Sequence, residues 1–162
     1  MKRTRVLFVC LGNICRSPAA QAVMQRLVDE RGLTEQFELD SAGTYAGHQG
    51  QLPDQRMRVH AARRDYVLTH RSRPITLDDL DYFDCIVAMD AANADDLQRM
   101  TISPEQSRKI VTIGPYIRQY PHYDYVPDPY YEGSQGFELV LDLLEDACEN
   151  LLDHLLRGRL KP

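Results

Sequence analysis

Within its 162 residues the chain has no apolar stretch of membrane-spanning length, no excess of basic charge, no CxxC pair and no zinc-type cluster. Each absence closes a class of function. A membrane helix needs roughly 20 consecutive apolar residues. The apolar run that follows Met1-Lys2-Arg3-Thr4-Arg5 stops at Gly12-Asn13, too soon for a signal peptide. A net charge of -5 argues against a general binder of nucleic acid or of membrane surfaces. The four cysteines read as thiols of a cytoplasmic protein rather than as a disulfide frame, with Cys85 and Cys148 as packing residues, and no metal or cofactor is expected. No Gly-Lys-Ser/Thr is present and Gly12 stands alone, which excludes a Walker loop and a dinucleotide fingerprint. Repeats and low-complexity tracts are absent too. Residues 1–162 suffice for one domain with a sheet covered on both faces.

What is present is concentrated in Val9-Cys10-Leu11-Gly12-Asn13-Ile14-Cys15-Arg16-Ser17-Pro18. The run Val6-Leu7-Phe8-Val9 reads as a buried parallel strand, and Pro18 followed by Ala19, Ala20, Ala22 and Leu27 reads as a helix. The segment between them is then a loop ending on a helix N-terminus. Successive backbone N–H groups of such a loop point inward, and the helix dipole adds positive potential, so an oxyanion is held without side chains. A cysteine in that setting titrates at roughly 3.5 to 7.5 instead of about 8.5, which makes Cys10 a candidate nucleophile. Arg16 offers a planar fork for two phosphoryl oxygens, which a lysine cannot match, and Ser17 a hydrogen bond to the sulfur. The competing reading of Cys10 is a small buried apolar residue at a strand end.

Strands and helices alternate along the rest of the chain, the pattern of parallel strands joined by helices. Strands are expected near residues 5–10, 37–41, 84–89 and 109–113, with helices to Arg31, from Pro53-Asp54 to Arg64, at 76–80, at 91–99 and at 136–157. The arginines at 56, 58, 63, 64, 71 and 73 read mostly as a solvated helix face. A loop of about twenty residues precedes the last helix, and loops that long in compact domains are usually functional. It contains Val126-Pro127-Asp128-Pro129-Tyr130-Tyr131, where prolines on both sides stiffen Asp128. Asp128 is the candidate general acid, protonating the leaving oxygen and later activating water, or else an ordinary turn carboxylate. Tyr130 and Tyr131 either wall an aromatic leaving group or pack locally.

Taken together, Cys10 to Ser17, Asp40-Ser41-Ala42-Gly43-Thr44 and Asp128-Pro129-Tyr130-Tyr131 make the chain resemble the low-molecular-weight protein tyrosine phosphatases over nearly its whole length. The resemblance implies an α/β fold, a four-stranded parallel sheet with helices on both faces in a flavodoxin-like three-layer sandwich. It implies Cys10 as nucleophile, Arg16 as clamp, Asp128 as acid, and phosphate held by Leu11, Gly12, Asn13, Ile14, Cys15 and Arg16. Asn13, Ser17, Ser41 and His70 match the network that supports the loop, although His70 alone would read as a surface histidine. Asp90 matches a family position too. Cys15 matches a second cysteine that forms a reversible disulfide with the nucleophile, protecting it from overoxidation. The rim is expected at Tyr130, Tyr131, Gly47 and His48, with Gly47 where relatives often carry a large aromatic and Tyr45 two residues earlier. Ile14 resembles the tyrosine-directed members, whereas arginine-phosphatase relatives tend to have threonine there. The implied partners are phosphotyrosine proteins and a cognate tyrosine kinase, with no nucleic acid or membrane insertion, for a monomer or weak dimer. Two rivals remain. A thioredoxin-coupled arsenate reductase would need a mobile cysteine pair, and a non-catalytic phosphotyrosine-binding module would most simply lack Cys10 or Asp128.

Overall fold

A computed structural model describes residues 2–130 and 133–159. Four parallel strands form its centre in the order β2-β1-β3-β4: β1 (Thr4–Cys10), β2 (Phe37–Gly43), β3 (Cys85–Ala88) and β4 (Ile110–Thr112). Val9 of β1 is paired with Ala42 on one side and Ala88 on the other. The chain therefore leaves β1 toward one edge of the sheet and returns to the other. In doubly wound sheets the carboxyl ends of the strands at such a reversal open a crevice, and here it lies at Cys10.

Alternation along β1 sorts the core into two layers. Val6 and Phe8 pack with Ala19, Ala20, Val23 and Met24 of helix α1 (Arg16–Glu30) and with Val140, Leu144, Ala147 and Leu151 of α6 (Ser134–Arg159). Leu7 and Val9 face the other way, against Leu80 of α3 (Leu77–Tyr82) and Leu97 of α4 (Ala91–Met100). Helices thus cover both faces of a flavodoxin-like sheet, as the resemblance implied. No described helix is long and apolar enough to cross a membrane.

Local chemistry explains most boundaries. Helix α1 starts at Arg16, so Pro18 falls in the first turn, where its missing N–H costs no helical bond. Gly32 ends the segment at φ +70°. Asp54 caps α2 (Gln55–Ala62) by accepting from the backbone of Arg56 and Met57. Thr76 and Asp79 form a capping box at α3.

One helix was not anticipated, α5 (Pro104–Lys109). Only Gln106 of its six residues is buried, so it has no apolar periodicity. Its start was nevertheless signalled: Ser103 caps it, Pro104 opens it, and the Ser103 side chain accepts from Gln106 N–H.

Candidate active site

The loop from Cys10 to Arg16 joins the end of β1 to the start of α1, and five of its carbonyls are bound by groups outside the loop. The carbonyls point outward: those of Cys10 and Leu11 accept from Thr44 and Tyr45 N–H, and that of Gly12 from the Ser72 hydroxyl at 2.9 Å. The carbonyls of Ile14 and Cys15 accept from Asp54 N–H at 2.8 Å and Ala19 N–H at 3.3 Å. Among the described residues, none of the backbone N–H groups of Gly12 to Cys15 donates to a protein acceptor. Carbonyls bound outside and amides unbound inside make an anion nest at a helix N-terminus.

Asn13 holds that curvature. It sits at φ +55°, a conformation asparagine tolerates better than most residues. Its Oδ1 accepts from the backbone N–H of Arg73 at 3.0 Å, which fixes the amide's orientation. His70 Nε2, 3.0 Å from the same oxygen, must therefore donate to it. Asn13 Nδ2 donates to Ser17 Oγ at 2.7 Å and Ser41 Oγ at 3.1 Å, and Ser41 passes its own proton to Gln21 Oε1. Ser17 Oγ, which accepts from Asn13, lies 3.0 Å from Cys10 Sγ and 3.5 Å from the Ala42 carbonyl, so its hydroxyl is within reach to donate to a Cys10 thiolate. His70 is half-buried, and burial followed by Arg73 pulls its pKa below the ordinary histidine value against the opposing pull of Asp40.

Arg16 enters from the first turn of α1 with a side chain only 3 % exposed. Its Nη1 donates to Asp90 Oδ2 at 2.7 Å and to the carbonyl of Val126 at 3.1 Å. That leaves the Nε–Nη2 edge toward the cavity, with Nη2 3.7 Å from Asp128 Oδ2. Burial works against this charge, but Cys10, Asp90 and Asp128 outweigh it and raise the guanidinium's pKa. Cys15 is buried as well, and its thiol is pushed far up by that burial and then by Asp54, so it is protonated.

These groups line a cavity of about 260 Å³, walled by Cys10, Leu11, Gly12, Ile14, Cys15, Arg16, Tyr45, His48, Asp128 and Tyr130. The Asp128 carboxylate is anchored through Oδ1, which accepts from Tyr130 N–H at 3.0 Å. The rim expectation needs one correction. Gly47 does not line the cavity; Tyr45 does. A Cβ at position 47 would stand 2.1 Å from the Tyr45 ring, so the glycine is the space into which that ring folds. His48 meets the Tyr45 ring edge-on at 5.9 Å and lies 6.3 Å from the Tyr130 ring. Tyr131 lies outside the described residues.

Sequence reasoning missed several supports. The Val126 carbonyl carries no side-chain signature, and Gln21, Ser72, Arg73 and Asp54 reach the loop from distant or inconspicuous positions. Asp90 had a legible signal, as a carboxylate two residues after β3 that also caps α4.

The fold and site define a class: an α/β protein with a cysteine-bearing oxyanion loop after the first strand, an arginine behind it and an acid across the opening. The family model described as low molecular weight phosphotyrosine protein phosphatase matches residues 5–160, and the chain belongs to that family. A Schizosaccharomyces pombe protein named low molecular weight phosphotyrosine protein phosphatase is 40% identical over 153 residues, covering 93% of this chain and 96% of its own. A protein tyrosine phosphatase crystal structure from Entamoeba histolytica, with Hepes in its active site, superposes with a TM-score of 0.92 at 44% identity. The match covers 97% of this chain and 99% of that one. A Drosophila arginine phosphatase superposes at 0.86 with 34% identity, covering 96% and 98%.

Proposed function

We propose that the chain hydrolyses phosphotyrosine through a cysteinyl-phosphate intermediate. The observation that carries this reading is the convergence of Cys10 Sγ, the unbonded amides of residues 12–15, the Nε–Nη2 edge of Arg16 and the Asp128 carboxyl on one small cavity. In the first step the Cys10 thiolate attacks phosphorus, the ester P–O bond breaks, and Asp128 gives its proton to the departing phenolate. The equatorial oxygens then lie against the amides and the Arg16 fork, groups already oriented before charge develops. In the second step Asp128 takes a proton from water, the hydroxide attacks phosphorus, and the S–P bond breaks. The Ser17 hydroxyl stabilises the thiolate that leaves.

Two features favour an aryl ester. Ile14 puts a branched apolar side chain in the cavity wall, and Tyr45, His48 and Tyr130 surround the opening with rings. A phenyl ring gains from that apolar and aromatic surface. Because Cys10 works only as a free thiolate, the reading also fits a reducing compartment such as the cytoplasm.

The test is hydrolysis of phosphotyrosine, phosphoserine and phosphoarginine peptides without added metal, by wild type, Cys10→Ser and Asp128→Ala. Phosphotyrosine turnover abolished by the first change and slowed by roughly two orders of magnitude or more by the second is expected. Absence of phosphotyrosine turnover by the reduced protein would overturn the reading.

A further inference from the structure

Arg56 lies in the arginine-rich segment that reads as a solvated face, and its side chain is half exposed, yet its Nε and Nη2 are bound to both loops of the site. Its Nε and Nη2 grip Asp54 at 3.2 and 3.0 Å, and Nη2 also donates to the Tyr130 carbonyl at 3.0 Å. The guanidinium lies 5.4 Å from the Tyr130 ring centroid and 4.9 Å from that of Phe137. Phe137 is buried at the start of α6 and stacked on His60, so it is a fixed floor.

The connections run in both directions from this side chain. Toward the oxyanion loop, Asp54 donates its backbone N–H to the Ile14 carbonyl at 2.8 Å, and its carboxylate caps α2. Burial raises the Asp54 pKa, but hydrogen bonds from Arg56 and Met57 overcome it and hold the group ionised. Toward the acid loop, Arg56 engages the carbonyl of Tyr130, the residue whose own N–H, one peptide unit earlier, donates to Asp128 Oδ1. Pro127 and Pro129 stiffen the residue between. The oxyanion loop and the carboxyl that faces it are therefore joined by one continuous series of hydrogen bonds through Asp54, Arg56 and Tyr130.

We propose that Arg56 is a positioning residue for Asp128, setting the acid's distance from the phosphoryl site while leaving phosphate binding to the oxyanion loop. An exposed ion pair between Arg56 and Asp54 contributes little stability on its own. Its function is geometric, because proton transfer requires the donor within hydrogen-bond reach of the leaving oxygen. This inference rests on the proposed role of Asp128 as the acid.

Leaving groups of different basicity separate this role from a merely structural one. Phenolate, whose acid titrates near about 10, needs its proton during departure, and 4-nitrophenolate hardly does. The experiment compares kcat/KM for phenyl phosphate and 4-nitrophenyl phosphate, which reports the first chemical step, in wild type, Arg56→Ala and Arg56→Lys. The same pair is measured with and without Asp128→Asn, along with inhibition by inorganic phosphate.

For Arg56→Ala the ratio of phenyl to nitrophenyl kcat/KM is expected to fall on the order of tenfold, a fraction of what a general acid supplies. The phosphate inhibition constant should stay put, and Arg56 and Asp128 should be non-additive, the ratio falling no further in the double variant. Should the alanine variant fail to fold, Arg56→Lys, which keeps the charge without the fork, is read by the same ratio. An unchanged ratio, equal loss on both substrates, or additive losses in the double variant would overturn the assignment. If Asp128→Asn alone leaves the ratio unchanged, the acid role of Asp128 fails first and this inference falls with it.

Discussion

Replacing Asn13 by alanine takes four hydrogen bonds out of the site at once. Its amide donates to Ser17 and Ser41 and accepts from His70 and Arg73, all at or under 3.1 Å. At a net value of about 1 kcal/mol per bond, their loss costs about 4 kcal/mol. Alanine must also take φ +55°, a left-handed conformation that costs it about 1 kcal/mol more. The total of about 5 kcal/mol approaches the whole stability of a small domain, about 5 to 15 kcal/mol. Glycine loses the same bonds without the conformational cost, so Asn13→Gly should be the more stable by about 1 kcal/mol. Asn13→Asp keeps the acceptor for His70 and Arg73 and should fall least. The assay is urea unfolding followed by far-UV circular dichroism, since the chain contains no tryptophan, with phosphate affinity measured on each variant. A loss below about 2 kcal/mol for alanine, or glycine no more stable than alanine, would refute this account of the loop.

Other substitutions probe other parts of the site. Arg16→Lys keeps the charge but cannot hold Asp90 and the Val126 carbonyl while offering two parallel donors; kcat/KM should fall on the order of a hundredfold, and a loss under tenfold would contradict the clamp. Gly47→Ala should drive the exposed Tyr45 ring off the rim, raising KM for phosphotyrosine peptides a few-fold with little change in the urea midpoint; Tyr45→Ala should match it, and an unchanged KM in both would remove Tyr45 from substrate binding. The lowered pKa of His70 means that the unfolded chain binds its proton first, so stability is full above the ordinary histidine value and is lost as pH falls through the folded one. Urea midpoints between pH 7.5 and 5 should therefore drop in wild type and flatten in His70→Gln, and equal slopes would exclude His70 as the source. Peroxide should oxidise the Cys10 thiolate to a sulfenic acid that condenses with the Cys15 thiol, giving a disulfide and water. Dithiothreitol should then restore wild type and not Cys15→Ser, and equal recovery would remove Cys15 from this role.

What the sequence made legible is local. A strand, a loop of small and polar residues and a helix start follow one another within Val6 to Ala20, and two prolines bracket Asp128; both signals depend on neighbours in the chain. The α/β alternation was readable for the same reason. What was not legible depends on partners distant in sequence or on atoms without a residue identity. Helix α5 hid because six residues with a single buried side chain carry no apolar periodicity, although its cap was visible. At the rim, His48 and Tyr130 line the cavity, but Tyr45 was not foreseen there, because counting residues locates Gly47 and not the direction of the Tyr45 ring that folds into the space its missing side chain leaves. The arginine-rich segment looked like a single solvated face, yet its members part company in the fold. Arg73 binds Asp40 and Asp79, Arg64 binds three carboxylates of α6, and Arg56 spans the two loops of the site.

The same distinction explains why the oxyanion loop needs so much support. Pointing four amides into one cavity aligns peptide dipoles that would otherwise repel, and it forfeits the hydrogen bonds those amides would make in a helix or sheet. Local sequence permits such a conformation, through Asn13 at φ +55°, but does not stabilise it. The stabilisation comes from outside the loop: Ser72 on the Gly12 carbonyl, Asp54 on that of Ile14, and His70 and Arg73 on the Asn13 side chain, all at least 40 residues downstream. The cavity's positive potential therefore exists only once β2, α2 and the 70–73 segment are docked. An oxyanion that binds there meets donors whose ordering was completed during folding, so its binding energy is not spent on arranging them.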